Sequence, residues 1–311
     1  MKLEIQKLHA NGKLLISGEY AVLDGAIAFA VPTKLGQSLE VSFGEETANP
    51  VLIWEAYLVD GSLWFSAEYE LKTLTILKSS DAKFASKLLE IFKATSTLNP
   101  NFFQNQNRDV YCKTQLEFPK EWGLGSSSTL IYLLAKLTEV NEFELNKLTF
   151  KTSGYDVACA GNNSPIIYQN HQQDRRIEPI DFSPEFKEKL HFVYLNQKQD
   201  TQQNVAKNYR DLPKDVEWIN AVSDISYQIS QAENLEAFER LLNQHEDLIA
   251  LKLGFPKVKD LHFPDYEGAI KSLGAWGGDF VLITERKGFK EYFQSKGFTI
   301  VLSFDEMINK K

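Results

Sequence analysis

The chain is poor in cysteine, with only Cys112 and Cys159 in 311 residues. Two thiols are too few for a disulfide framework, so a reducing cytoplasm is the expected compartment. No apolar run reaches the roughly 20 residues that cross a bilayer, and no membrane partner is expected. The opening Met1-Lys2-Leu3-Glu4-Ile5-Gln6-Lys7 alternates apolar and polar residues, which reads as a strand rather than a signal peptide. Five histidines, His9, His171, His191, His245 and His262, are scattered without metal-ligand spacing, so neither structural zinc nor a di-iron centre is expected. Positive charge is not in excess either. The formal net charge is −8 with both signs interspersed, which argues against a nucleic-acid surface. What the chain does have is 43% hydrophobic content, enough for two domains of ordinary size.

Two familiar phosphate-binding signatures are also absent. In Trp122-Gly123-Leu124-Gly125-Ser126-Ser127-Ser128-Thr129, Ser128 stands where the dinucleotide fingerprint has its third glycine, and no Gly-Lys-Ser/Thr follows to make a Walker A loop. What is present is a glycine turn running through hydroxyls into the apolar Leu130-Ile131-Tyr132-Leu133-Leu134-Ala135. The glycines permit a tight turn, the serines suit a helix cap, and the N–H groups of the first turn point at an anion. Serine hydroxyls there are also oxygen donors for a magnesium ion. Read alone, such a run is more often a structural turn with an N-cap.

Alternation predicts strands over 3–9, 13–17, 38–43, 51–58 and 63–69, the last two forming a hairpin around Asp60-Gly61. Phe84, Leu88, Ile91 and Phe92 predict a helix over 83–95, and 111–118 reads as a strand entering the glycine loop. Helices are predicted from 126 to about 139, from about 142 and from about 154, then a strand over 165–169 and an exposed polar turn over 170–176. A strand at 192–195, helices over 217–231 and 235–253, and strand, helix and strand at 280–283, 287–296 and 299–303 complete the chain. No internal repeat or low-complexity segment is present.

Two further segments stand out. Near the start is Ala10-Asn11-Gly12-Lys13-Leu14-Leu15-Ile16-Ser17-Gly18-Glu19-Tyr20-Ala21-Val22-Leu23-Asp24-Gly25, a lysine-bearing strand before a Gly-Glu-Tyr turn. Near the end is Gly274-Ala275-Trp276-Gly277-Gly278-Asp279. With the central loop, and in this order, they resemble the GHMP kinase superfamily. Gly-Glu-Tyr-Ala-Val-Leu and Ser153-Gly154-Tyr155-Asp156-Val157-Ala158-Cys159-Ala160 look most like its phosphomevalonate and mevalonate kinases. The resemblance spans essentially the whole chain.

It implies an α+β, two-domain fold: a ribosomal protein S5 domain 2-like N-terminal domain over 1–185 and a ferredoxin-like C-terminal domain over 186–311. It also implies ATP and Mg²⁺ as cofactors, a small-molecule substrate, and a monomer or homodimer. Gly123, Leu124, Gly125, Ser126, Ser127 and Ser128 match the ATP-binding loop, with Ser127 and Ser128 at the metal. Lys13 matches the lysine near the transferred phosphoryl group, and Asp156 the catalytic aspartate. Phosphoryl transfer needs just this division, positive charge at the transferring group and a carboxylate at the nucleophile. Without the other motifs, Lys13 reads as a solvated strand lysine and Asp156 as a helix-start carboxylate. Glu19 either pairs with a lysine or orients a ligand, or simply faces solvent, and Tyr20 either lines the pocket or packs. Gly274, Gly277 and Gly278 resemble the third motif, which closes over the phosphates, while Lys198 and Thr201 resemble a substrate-contacting loop.

There are departures from the pattern. Only 31 positions separate Gly125 from Asp156, which is short for the family, and its metal-binding glutamate has no convincing counterpart in Glu142 or Glu144. Asn162-Asn163 stands where many members have Gly-Gly. Trp276 replaces a common glycine and is expected to narrow a pocket mouth.

Overall fold

The computed structural model describes residues 5–171, 174–196, 209–274, 276 and 278–309. The chain divides into two compact units: Met1–Gly12, Leu35–Lys120 and Leu124–Gly161 form unit 1, and Lys13–Lys34, Glu121–Gly123 and Asn162–Lys311 form unit 2. Strands β1 (Ile5–Ser17) and β2 (Ala28–Glu46) each begin in one unit and end in the other. No helix among the described residues is long and apolar enough to cross a membrane.

In unit 1 the chain continues through β3 (Val51–Tyr57), β4 (Leu63–Glu70), β5 (Thr75–Ser79), α1 (Ala82–Leu98), α2 (Pro100–Gln104) and β6 (Arg108–Leu116). Then come α3 (Ser126–Thr138), α4 (Glu142–Thr149) and α5 (Tyr155–Gly161). The strand order is β5-β4-β3-β6-β2, antiparallel except for the parallel pair β3 and β6. Along β3 every second residue is buried, so Leu52, Trp54 and Ala56 face the core, as period-two side-chain geometry requires. They share it with Leu88, Ile91 and Phe92 of α1 and with Ile131 and Leu134 of α3. Phe92 meets Tyr69 edge-on at 5.2 Å and Trp54 at 5.9 Å, the arrangement that aromatic quadrupoles favour. Asp81 caps α1 by accepting from the Lys83 and Phe84 amides.

In unit 2, β2 pairs with β7 (Ile166–His171), and β7 with β8 (Asp174–Pro179). A second sheet follows, built from β9 (Leu190–Tyr194), β10 (Ile270–Leu273), β11 (Phe280–Thr284) and β12 (Val301–Ser303), in the order β10-β11-β9-β12 with every pair antiparallel. Helices α6 (Val216–Ser230), α7 (Leu235–Leu253) and α8 (Val258–His262) fall between β9 and β10, and α9 (Phe289–Ser295) between β11 and β12. The short α10 (Phe304–Met307) ends the series. Each end strand is reached through a helical crossover, the split βαβ arrangement of a ferredoxin-like sheet. The ferredoxin-like topology and the α+β class are therefore as expected.

Some elements differ from the expectations. The polar run over 170–176 is not simply a turn, because pairing continues through Asn170↔Arg175 and His171↔Asp174. β5 was not predicted: it is an edge strand whose side chains are mostly exposed, so it has no burial pattern to read. β10 was missed because two of its four residues, Lys271 and Ser272, are polar, yet both are buried.

Candidate functional site

Unit 1 holds the loop serines and Asp156. The N-cap of α3 is Gly125, in the left-handed region at φ 92°, and no side chain caps the helix. This corrects the expectation that the serines do so. Thr129 donates to Gln37 Oε1 at 2.6 Å, and Ser128 donates back to Gly125 O at 2.8 Å. Both hydroxyls are thereby drawn into the protein, and Ser128 is buried. Leu124 is buried as well, an anchor for the turn. Ser127 is exposed and Ser126 half-buried.

These two serines line a cavity of about 220 Å³ whose walls include Trp54, Trp64, Phe65, Phe84 and Phe150. Lys120 Nζ lies 4.3 Å from the centre of the Trp64 ring and 4.9 Å from that of Phe84. Lys87 Nζ lies 4.9 Å from the centre of the Phe150 ring. The cavity thus joins flat apolar walls and two cations to a helix start whose amides carry partial positive charge. Nothing local in the sequence marks it, since its aromatic residues come from separate segments.

Asp156 sits in the first turn of α5. Its Oδ1 accepts from the Val157 amide at 3.0 Å and from Thr152 Oγ1 at 3.1 Å. Asn146 Nδ2 donates to Thr152 Oγ1 at 2.9 Å, so the carboxylate is oriented by a short polar chain.

Unit 2 holds Lys13, Gly123 and the two motif turns. Lys13, half-buried on β1, donates to Gly123 O at 2.8 Å. Gly123 has φ +64°, and a Cβ there would fall 1.7 Å from Asp279 Oδ2 and 2.6 Å from its Cγ. Residues of all three motifs therefore meet at Gly123, where Asp279 stands beside the Lys13 contact although nothing in the sequence singles it out. Gly274 has φ +75° and donates to Leu15 O at 3.4 Å, and Gly278 lies one residue before Asp279. Lys198, Thr201 and Gly277 lie outside the described residues. Trp276 does not narrow a pocket mouth: it is 3% exposed, clusters with Tyr20, Tyr209 and Trp218, and donates from its indole to Pro256 O at 3.1 Å. An apolar ring with one N–H is most stable where both needs are met.

Glu19 is 1% exposed. Its carboxylate pairs with Lys271 Nζ, which also meets Glu246 Oε1 at 3.0 Å. Burial pushes the Glu19 carboxyl up to about 7, against the opposing pull of Lys271. Burial raises Glu246 too, while the two carboxylates hold Lys271 above the usual lysine range despite its own burial. His245 Nε2 accepts from the Gly18 amide at 2.9 Å, which places the ring proton on Nδ1. Burial, with Lys271 nearby, holds His245 well below its ordinary range. Tyr20 packs, and its hydroxyl accepts from the Trp276 amide at 2.9 Å. Of the readings open to Glu19, the pairing with a lysine holds and the solvent-facing one does not, while Lys271, His245 and Glu246 went unmarked in the sequence.

No protein-family model matches the chain, and no curated protein does. Solved structures do. Phosphomevalonate kinase of Streptococcus pneumoniae in complex with phosphomevalonate and AMPPNP is similar at TM-score 0.68 and 15% identity, over 96% of this chain and 99% of that one. Mevalonate kinase of Methanococcus jannaschii is similar at TM-score 0.66 and 16% identity, over 99% of each chain. Galactokinase of Lactococcus lactis complexed with galactose is similar at TM-score 0.66 and 12% identity, over 99% and 95%. The chain has the fold of the GHMP kinases.

Two outcomes are expected from this geometry. Gly123→Ala places a methyl group against Asp279 at a backbone angle that alanine disfavours, at a cost of about 1–3 kcal/mol. Urea unfolding measures it, and an unchanged midpoint would mean that loop and carboxylate part easily. His245→Gln keeps an acceptor for Gly18 and removes a titrating group. Below pH 6.5 the unfolded chain takes up a proton that folded His245 refuses, so wild-type stability falls as pH drops. Glu19 and Glu246 act oppositely, holding protons in the folded state that the unfolded carboxyls release above about 4.5, so their contribution falls as pH rises. The variant should gain on wild type by about 1.4 kcal/mol per pH unit below 6.5. A pH-independent difference would show His245 charged inside the fold.

Proposed function

We propose that this protein is a kinase that uses ATP and Mg²⁺ to phosphorylate a hydroxyl or phosphate oxygen of a small molecule. The observation that carries this reading is the uncapped α3 start opening beside the aromatic, lysine-bearing cavity. Amide donors for an anion lie next to a slot for a flat heterocycle, which together suit a nucleotide. The exposed Ser127 hydroxyl is a suitable neutral oxygen for Mg²⁺, whereas Ser128, expected beside it at the metal, is buried with its hydroxyl turned onto Gly125 O. The ion would neutralise charge on the phosphates.

Within this reading Lys13 stabilises charge on the transferring group, and Asp156 accepts or directs the acceptor's proton. Mevalonate or phosphomevalonate in isoprenoid precursor synthesis is the favoured acceptor, on the resemblance of the 18–23 and 153–160 segments. A sugar or amino-acid alcohol is the alternative, since one fold serves many acceptors and a galactokinase shares this one. The two buried free thiols suit a cytoplasmic enzyme.

The test is ADP release from Mg-ATP against mevalonate, phosphomevalonate, homoserine, galactose and a heptose phosphate. One acceptor should turn over, and Asp156→Asn and Lys13→Met should each slow it by about 10²-fold or more with the fold intact. Mg-ATP binding with no turnover on any acceptor would favour a non-catalytic nucleotide-binding protein. Trp64→Ala should weaken Mg-ATP about tenfold in calorimetry by removing a stacking wall. Unchanged affinity would take the cavity out of nucleotide binding.

A further inference from the structure

Four ionisable side chains meet inside unit 2: Glu19 from the turn after β1, His245 and Glu246 from α7, and Lys271 from β10, none more than 1% exposed. Buried ion pairs are weak devices for stability, since apolar replacements of similar volume are often neutral or better. They are strong devices for geometry, because breaking one partner leaves a charge stranded. A divalent metal is the obvious alternative, as ligand atoms of Glu19, His245 and Glu246 lie within 4.8 Å of one another. Lys271 already bonds both carboxylates, so the chain supplies its own cation.

What this cluster holds is a strained turn. A Cβ at Gly18, φ +96°, would come within 2.8 Å of Ala28 Cα. Tyr20 has φ 59° and ψ −48°, outside the regions open to ordinary side chains. Such a residue costs about 1–3 kcal/mol and persists only where its surroundings over-determine it. Here Gly18 is tied to His245, Glu19 to Lys271, and Tyr20 to the Trp276 amide. From Lys271, β10 runs straight to Gly274, which bonds Leu15, two residues from Lys13.

We propose that Lys271, clasped by Glu19 and Glu246, is a positioning residue: it locks the Gly18-Glu19-Tyr20 turn to β10 and so fixes β1, which carries Lys13, and the Trp276 segment. The activity consequence rests on the phosphoryl-transfer role proposed for Lys13. The structural consequence does not.

Lys271→Met alone strands two carboxylates, so the decisive protein is the neutral triple variant Lys271→Met, Glu19→Gln, Glu246→Gln of the full chain, studied beside wild type. Amide hydrogen exchange at Gly18 and Trp276 should speed up at least about tenfold, while β9 and β11 amides keep their protection, because local opening is separable from global unfolding. With Mg-ATP and the acceptor found in the panel, kcat should fall about tenfold or more and the KM for ATP should change less than about threefold. Uniform loss of protection across the unit, or unchanged exchange at Gly18 and Trp276, would overturn the proposal. If no acceptor turns over, the phosphoryl-transfer reading fails, and the exchange measurement still decides the clamp.

Discussion

The interior ammonium of Lys271 is the constraint on which unit 2 depends. It bonds Glu19, Glu246 and the Ser272 carbonyl without exposure to water. Burial pushes the Glu19 carboxyl up to about 7 against the pull of Lys271, and the Glu246 carboxylate adds a smaller push in the same direction. A neutral histidine fits this better than a cationic one would fit beside Lys271. His245 is accordingly used as an acceptor for Gly18 rather than as an acid. Four groups that titrate independently in water are here held together, and the backbone of the Gly-Glu-Tyr turn is fixed with them.

The opposite strategy is used at the start of α3. Asp81, Asn141, Asp215 and Asn234 cap the helices they precede by accepting first-turn amides. At α3 a left-handed glycine stands in the cap position, and the nearby hydroxyls of Ser128 and Thr129 are committed inward. First-turn amides without a side-chain cap are satisfied by water or by a ligand anion. The neighbouring cavity, with its aromatic walls and Lys87 and Lys120 over them, is what favours a ligand.

The sequence made the long periodic elements and the three glycine-bearing motifs legible, because both are written locally. The helices after Ser126 and Leu235 and the hairpin around Asp60-Gly61 stand within a few residues of their predicted places. What it hid depends on tertiary burial. Nothing adjacent to Lys271 announces that a lysine is enclosed, and the charged Asp174–Pro179 segment pairs as a strand although Ile177 is its only β-branched residue. Trp276 was misread for a related reason: its substitution for glycine was visible, but the core waiting for it, from Tyr20 to Leu253, is assembled from four distant segments. The cavity beside Ser126 was invisible for the same cause.

The chemistry of an acceptor sets what a kinase site has to supply. An alcohol nucleophile must lose a proton as it attacks, and a carboxylate held in place as Asp156 is by Thr152 and the Val157 amide suits that task. A phosphate monoester, with a second pKa near about 6, arrives already ionised and asks for cations instead. Lys13 is the cation that the described motif residues place at the glycine loop, and Asp279 stands against that same loop as a charge of opposite sign. A carboxylate there raises the cost of crowding further phosphate charge around Gly123 unless a metal ion or another cation offsets it.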